Sequence, residues 1–213
     1  MHHSRDTGMG ICSLLLPLAL IAMLLSACDE GLLGTGEMGS GNLITETREV
    51  DTFTAIELSG AMELDLIVDP NAEQSVVVTY DDNIIDQVVT RVSGDTLVLE
   101  LEGSVNLTGG ADRLVTVTMN ELTALEASGA TDVEATGTTT SYTLDASGAS
   151  TVLLRSLTAL DIDLDVSGAS TVAVHATGTV RGSLSGASNL DVYGEPVSVL
   201  VDSSGASDLD IKN

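Results

Sequence analysis

The sequence predicts an all-β protein: a parallel β-helix or β-solenoid with coils of about 19 residues, preceded by a less regular β region. Three observations predict it. The tripeptide Ser-Gly-Ala returns at Ser128, Ser147, Ser167, Ser185 and Ser204, at steps of 19, 20, 18 and 19 residues. A fixed period near twenty marks one structural unit stacked on its neighbours. Around each copy apolar and polar residues alternate with period two, as in a strand with one buried and one wet face. The array is rich in Thr, Val, Ser and Gly, all poor helix formers, and no repeating pattern at three and four runs through it.

Alignment on the serine assigns each position. Before it, Tyr142, Leu144 and Ala146, then Ile162, Leu164 and Val166, and finally Val199 and Val201 face inward. After it a second strand buries Val133 and Ala135, Val152 and Leu154, Val172 and Val174, Leu190 and Val192, and Leu209 and Ile211. The glycine between the strands turns a corner with φ > 0 or lets stacked backbones approach, and the small alanine fits beside it. Two strands, a corner and a return loop make one coil, each strand pairing in parallel one coil away. An antiparallel sandwich also suits alternating strands at this spacing. The near-identity of the corners favours the coil, because hairpin turns have no reason to repeat one tripeptide.

Upstream, Ser59-Gly60-Ala61 stands apart and reads as an early coil separated from the array by a long insertion. Ser75–Thr79 and Leu97–Leu101 read as strands, with Val88–Val92 pairing to the latter through Ser93-Gly94-Asp95. Leu114–Met119 has the spacing of a second strand whose coil lacks its Ser-Gly-Ala corner, with Gly109-Gly110 in an exposed loop.

Residues 1–27 have the form of a targeting segment, with Arg5 ahead of an apolar run from Ile11 to Leu25 that is short for a membrane span. The run closes in Leu25-Ser26-Ala27-Cys28, which resembles the lipobox of bacterial lipoproteins. The resemblance implies cleavage before Cys28 and lipidation of its thiol, hence a membrane partner through the lipid. Asp29 follows; in enterobacterial lipoproteins an aspartate there favours the inner membrane, so the outer membrane and the periplasmic face of the inner membrane both stay open. Cys12 lies in the segment to be removed, which leaves no disulfide. Residues 28–41, rich in glycine, read as lipidated cysteine plus flexible tether, and 42–213 as the folded domain.

The run from Gly41 to Val50, with Phe53, the Ser59-Gly60-Ala61 corner, Asn83-Ile84-Ile85 and the serial corners, resembles the head GIN domain of putative auto-transporter adhesins. That resemblance covers nearly the whole chain after Cys28. It implies a β-helix-like fold on an exported, often lipid-anchored protein of the bacterial cell envelope, and it supplies no catalytic residue.

Chemistry narrows the function classes. The formal charge is −25, and with basic residues scattered the chain has no phosphate-binding patch, which excludes nucleic acid as a partner. Two residues before each corner serine stand Glu126, Asp145, Asp165, Ser183 and Asp202, outward and in one column if the coils stack. Asp163 adds to that face. Repulsion self-solubilises an exposed sheet; alternatively Glu126, Asp145, Asp163 and Asp165 form a weak Ca²⁺ site, although no calcium-binding nonapeptide is present. No other cofactor is expected. A second outward column, Arg155, His175, Tyr193 and Lys212, is either solvated surface or a small recognition stripe. Enzyme motifs are absent: no Gly-x-Ser-x-Gly elbow occurs, and His175 is the one histidine beyond residue 27. The expectation is a non-catalytic, lipid-anchored module that binds an envelope protein or polysaccharide, with adhesion as one such role. The alternative is a β-helical carbohydrate-active enzyme or a weak Ca²⁺-dependent glycan binder. Aromatic content of 2 % with no tryptophan gives sugar rings little to stack on and disfavours it.

Overall fold

The computed structural model describes residues 36–107 and 112–212. The segment 1–27, Cys28 with Asp29, and Gly109-Gly110 lie outside the described residues. In chain order, β1 (Glu37–Met38) and β2 (Leu43–Arg48) lead into β3 (Ala55–Gly60) and β4 (Glu63–Val68). Then come β5 (Ser75–Asp81), a 3-10 turn at Ile85–Gln87, β6 (Val88–Ser93), β7 (Thr96–Leu101), β8 (Val105–Asn106) and β9 (Leu114–Met119). The repeat follows as β10 (Ala124–Gly129), β11 (Asp132–Thr138), β12 (Ser141–Ala146), β13 (Thr151–Ala159), β14 (Asp161–Val166), β15 (Thr171–Ala176), β16 (Thr179–Leu184), β17 (Asn189–Tyr193), β18 (Ser198–Ser203) and β19 (Asp208–Ile211). No α-helix occurs among the described residues.

The strands form two large sheets, neither closed into a barrel. The first runs β6-β7-β3-β10-β12-β14-β16-β18 and the second β2-β5-β9-β4-β11-β13-β15-β17-β19, while β1 and β8 form a small ladder of their own. Successive repeat strands alternate between sheets, and each pairs in parallel with the strand two further on. Leu144 stands opposite Leu164 and Ala146 opposite Val166 in the first sheet; Val152 stands opposite Val172 in the second. Parallel pairing rules out the antiparallel sandwich for the array. The inward residues of both sheets make one apolar core, since every second side chain of a strand faces the same way.

The corner explains why one tripeptide repeats. Gly168 has φ 75°, and a Cβ there would lie 2.3 Å from the carbonyl oxygen of Gly148, the preceding corner. The N–H of Ala169 donates to that same carbonyl at 2.8 Å, and Ala149, Ala187 and Ala206 repeat the bond one corner along. Only glycine combines this conformation with this closeness. Beneath the corners Ser150, Ser170 and Ser188 are buried, each hydroxyl donating to the carbonyl three residues back. Burial is tolerated because each is paired.

The first corner is not separated from the array. Ser59 and Gly60 stand opposite Ser128 and Gly129, so β3 and β4 stack directly on β10 and β11. The stretch between them loops out and returns on the far side, where β7 adds to β3 and β9 to β4, both in parallel. Leu114–Met119 is thus a second-sheet strand without a Ser-Gly-Ala corner, as its spacing predicts. Beyond it β5 and β6 turn antiparallel, and β2 closes the second sheet in parallel orientation to β9.

Residues 36–41 depart from the flexible tether expected of 28–41. β1 pairs with β8, the amide of Asn83 donates to the Met38 carbonyl at 2.9 Å, and the Gly41 N–H donates to Asp81 at 2.6 Å. Asp81 is buried and ion-paired with the nearly buried Arg113. The compact unit therefore begins at Gly36. Glycine content alone suggests flexibility; the polar groups of Asp81, Asp82 and Asn83 supply the partners that hold this segment.

Candidate recognition faces

On the outer surface of the first sheet, parallel register sets acids in line. Glu57 stands opposite Glu126, Glu126 opposite Asp145, Asp145 opposite Asp165, then Ser183 and Asp202 follow. The column read from the sequence is present and gains Glu57, which stands two residues before Ser59 and carried the same signal. Partial desolvation, then Glu57 and Asp145, hold Glu126 above the usual carboxylate range. The Ser183 hydroxyl donates to Asp165 and relieves one member.

Asp163 belongs to the adjacent column, between Thr143 and Arg181, and its exposed ion pair with Arg181 spans 3.0 Å. A shallow trough lined by Glu57, Glu126, Asp145, Asp163 and Asp165 runs between the two columns. The four residues expected to hold a metal therefore share a face, yet no three His, Cys, Asp or Glu among the described residues converge on one point. A sheet sets its side chains in rows, whereas a cation needs oxygens around a centre.

The second sheet carries acids that the sequence reading missed. Glu63 stands opposite Asp132, and Asp65 opposite Glu134. Partial desolvation and then Asp132, Asp112, Glu134 and Asp65 hold Glu63 above its ordinary range. The signal was available as the fourth and sixth residues after the corner serine.

Of the expected basic and aromatic stripe, the structure keeps three members in line. His175 pairs with Tyr193, and Lys212 follows Ile211 in the next strand, its Nζ bonded to Asp210 and 3.5 Å from Asp191. Arg155 is displaced. The strand partner of His175 is Thr158, because the register shifts between Leu154 and Thr158. That repeat is the one of 20 residues, and its Arg155, Ser156 and Leu157 stand without a partner in β15. Arg155 still meets the stripe through its carbonyl, 3.1 Å from His175 Nδ1. A carbonyl only accepts, so Nδ1 carries the proton.

Residues 52–137 and 125–196 match the family model described as "Putative auto-transporter adhesin, head GIN domain". The chain belongs to this family. The match spans both the first corner and most of the array, and so takes in Glu57, Glu126, Asp145, Asp165 and Ser183 of the column. No curated protein sequence matches it. Similar solved structures include a putative adhesin from Bacteroides fragilis, 15 % identical, covering 83 % of this chain and 100 % of that one with a TM-score of 0.48. A putative adhesin from Parabacteroides distasonis is 16 % identical over 82 % of this chain and 99 % of its own, TM-score 0.45. A putative lipid binding protein from the same organism is 15 % identical over 81 % and 98 %, TM-score 0.40.

Proposed function

We propose that this head GIN chain is a lipid-anchored protein of the bacterial cell envelope, wound as a β-solenoid, whose non-catalytic role is to hold an envelope protein or polysaccharide, as in adhesion. One observation carries the reading. Parallel pairing one repeat apart lines outward residues into straight columns on two continuous sheets, a surface suited to an extended partner. Membership of an adhesin family agrees with an envelope address. The carboxylates stand in rows, so a bound cation is no part of the proposal.

In this reading residues 1–27 are removed and Cys28 carries the lipid. Labelling with a palmitate analogue then marks the wild-type chain and leaves Cys28→Ser unmarked; label in the mutant contradicts the anchor. Capture from envelope fractions, with a glycan panel assayed for both binding and cleavage, tests the binding role. Retention without turnover is expected, and turnover of any glycan overturns the non-catalytic assignment.

A further inference from the structure

The two ends of the stack are finished differently. At one end β2 is the edge of the second sheet, with Glu46 and Arg48 opposite the inward-facing Val78 and Val76 of β5. These two charges pair at 3.1 Å, and Arg48 also donates to the Ile85 carbonyl at 2.9 Å. Charges set on the inner side of an edge strand block further pairing. At the other end β18 and β19 are the edges, and among the described residues no strand or charged pair covers them in the same way.

That end exposes the layer that elsewhere is core. Val199 and Val201 stand opposite Val180 and Gly182, and Leu209 and Ile211 opposite the buried Leu190 and Val192. Ile211 is nevertheless 49 % exposed, and Val199, Val201 and Leu209 are only half-buried. The backbone is open as well. Ser198 and Ser204 direct their N–H groups to the preceding coil, as do Asp208 and Lys212. In a parallel ladder alternate residues point to opposite neighbours, so Val199, Val201, Leu209 and Ile211 turn their N–H and C=O groups to the open side.

Charge selects the occupant. The edge is fringed by exposed Asp202, Asp208 and Asp210, and Lys212 is already engaged by Asp210. A second copy of this edge would set the same acids against each other. We propose that the β18–β19 edge is a strand-addition site for an extended partner segment in which apolar residues alternate with Lys or Arg. Its apolar side chains would complete the exposed core layer, and its cations would stand opposite the aspartates. The site lies at the end of the outward columns, sharing Asp202 with the acidic one, and does not depend on the lipid anchor.

The test uses the full chain with Cys28→Ser and a blocked synthetic peptide alternating Lys and Val. Its controls are a Glu and Val peptide of the same pattern and a Lys and Val peptide of equal composition with all lysines in one block. Hydrogen exchange should show new protection at Val199, Val201, Leu209 or Ile211 with the alternating cationic peptide alone. The triple variant Asp202→Lys, Asp208→Lys, Asp210→Lys, substituted only at exposed positions, should bind it about tenfold more weakly or worse. Equal binding of the control with its lysines in one block, or protection elsewhere, overturns the proposal in favour of general attraction to an acidic surface. Concentration-dependent dimers that protect the same amides without peptide overturn it in favour of a second copy.

Discussion

At the scale of single residues, the corner glycines do two things that a side chain prevents, and the structure separates them. Gly60 and Gly168 both have positive φ, 97° and 75°. A Cβ on Gly60 meets nothing within 4 Å because no corner precedes it, whereas one on Gly168 strikes the Gly148 carbonyl. Gly60→Ala should therefore cost only the backbone strain, about 1 kcal/mol, and Gly168→Ala distinctly more, since two corners must part to admit the methyl group. Chemical denaturation of both variants checks this. Equal losses would mean that closeness of the corners contributes nothing and that φ alone explains the glycine.

At the scale of elements, one buried ion pair supports the clasp of residues 36–41 beside its other hydrogen bonds. The Arg113 guanidinium bonded to Asp81 holds its carboxyl below the usual carboxylate range, helped by the Gly41 N–H. Breaking such a pair from one side costs about 3 to 5 kcal/mol, because a buried charge loses its compensation. Asp81→Asn should show that loss in unfolding experiments, together with faster hydrogen exchange at Glu37 and Gly39, whose N–H groups donate to Ser104 and Asn106. Little of this was legible beforehand. Repeat strands announce themselves by alternation and by the fixed corner, and the hairpin of β6 and β7 by Ser93-Gly94-Asp95. The clasp instead joins residues forty or more positions apart through side chains, for which local pattern has no signature. Arg155 leaves the stripe because a bulge sets Arg155 and Ser156 outward in succession, a break in the alternation that shifts the register with β15.

At the scale of the whole molecule, the rows of acids make stability depend on pH in two opposed ways. Glu63 and Glu126 have folded-state pKa values raised above the ordinary 4.5. Their protonation favours the folded state, so stability grows as pH falls through the raised values and levels off below 4.5. Asp81 is lowered from 3.8, and its contribution is present above that value and lost as pH falls through the lowered one. Calorimetric melting should therefore show a maximum in mildly acidic solution, flanked by losses toward neutral pH and toward strong acid. Glu63→Gln with Glu126→Gln should flatten the neutral limb alone. The column behind that behaviour was legible from Glu126 onward because register follows from the repeat; Glu57 was missed only because its corner was read as detached.

The claim on which both faces depend is that the corners stack in unbroken order from β3 to β18. Glu57 and Asp202 are 145 positions apart in the chain, yet the register sets them in one column with Glu126, Asp145, Asp165 and Ser183 between them. Five strand spacings separate their backbones by about 24 Å. Spin labels on cysteines at these two positions, with Cys12 and Cys28 replaced by serine, report that separation by pulsed electron resonance. A single narrow distribution centred near 24 Å, within the reach of the label arms, is the predicted result. A distribution centred beyond about 40 Å, or several unrelated peaks, would contradict the stack.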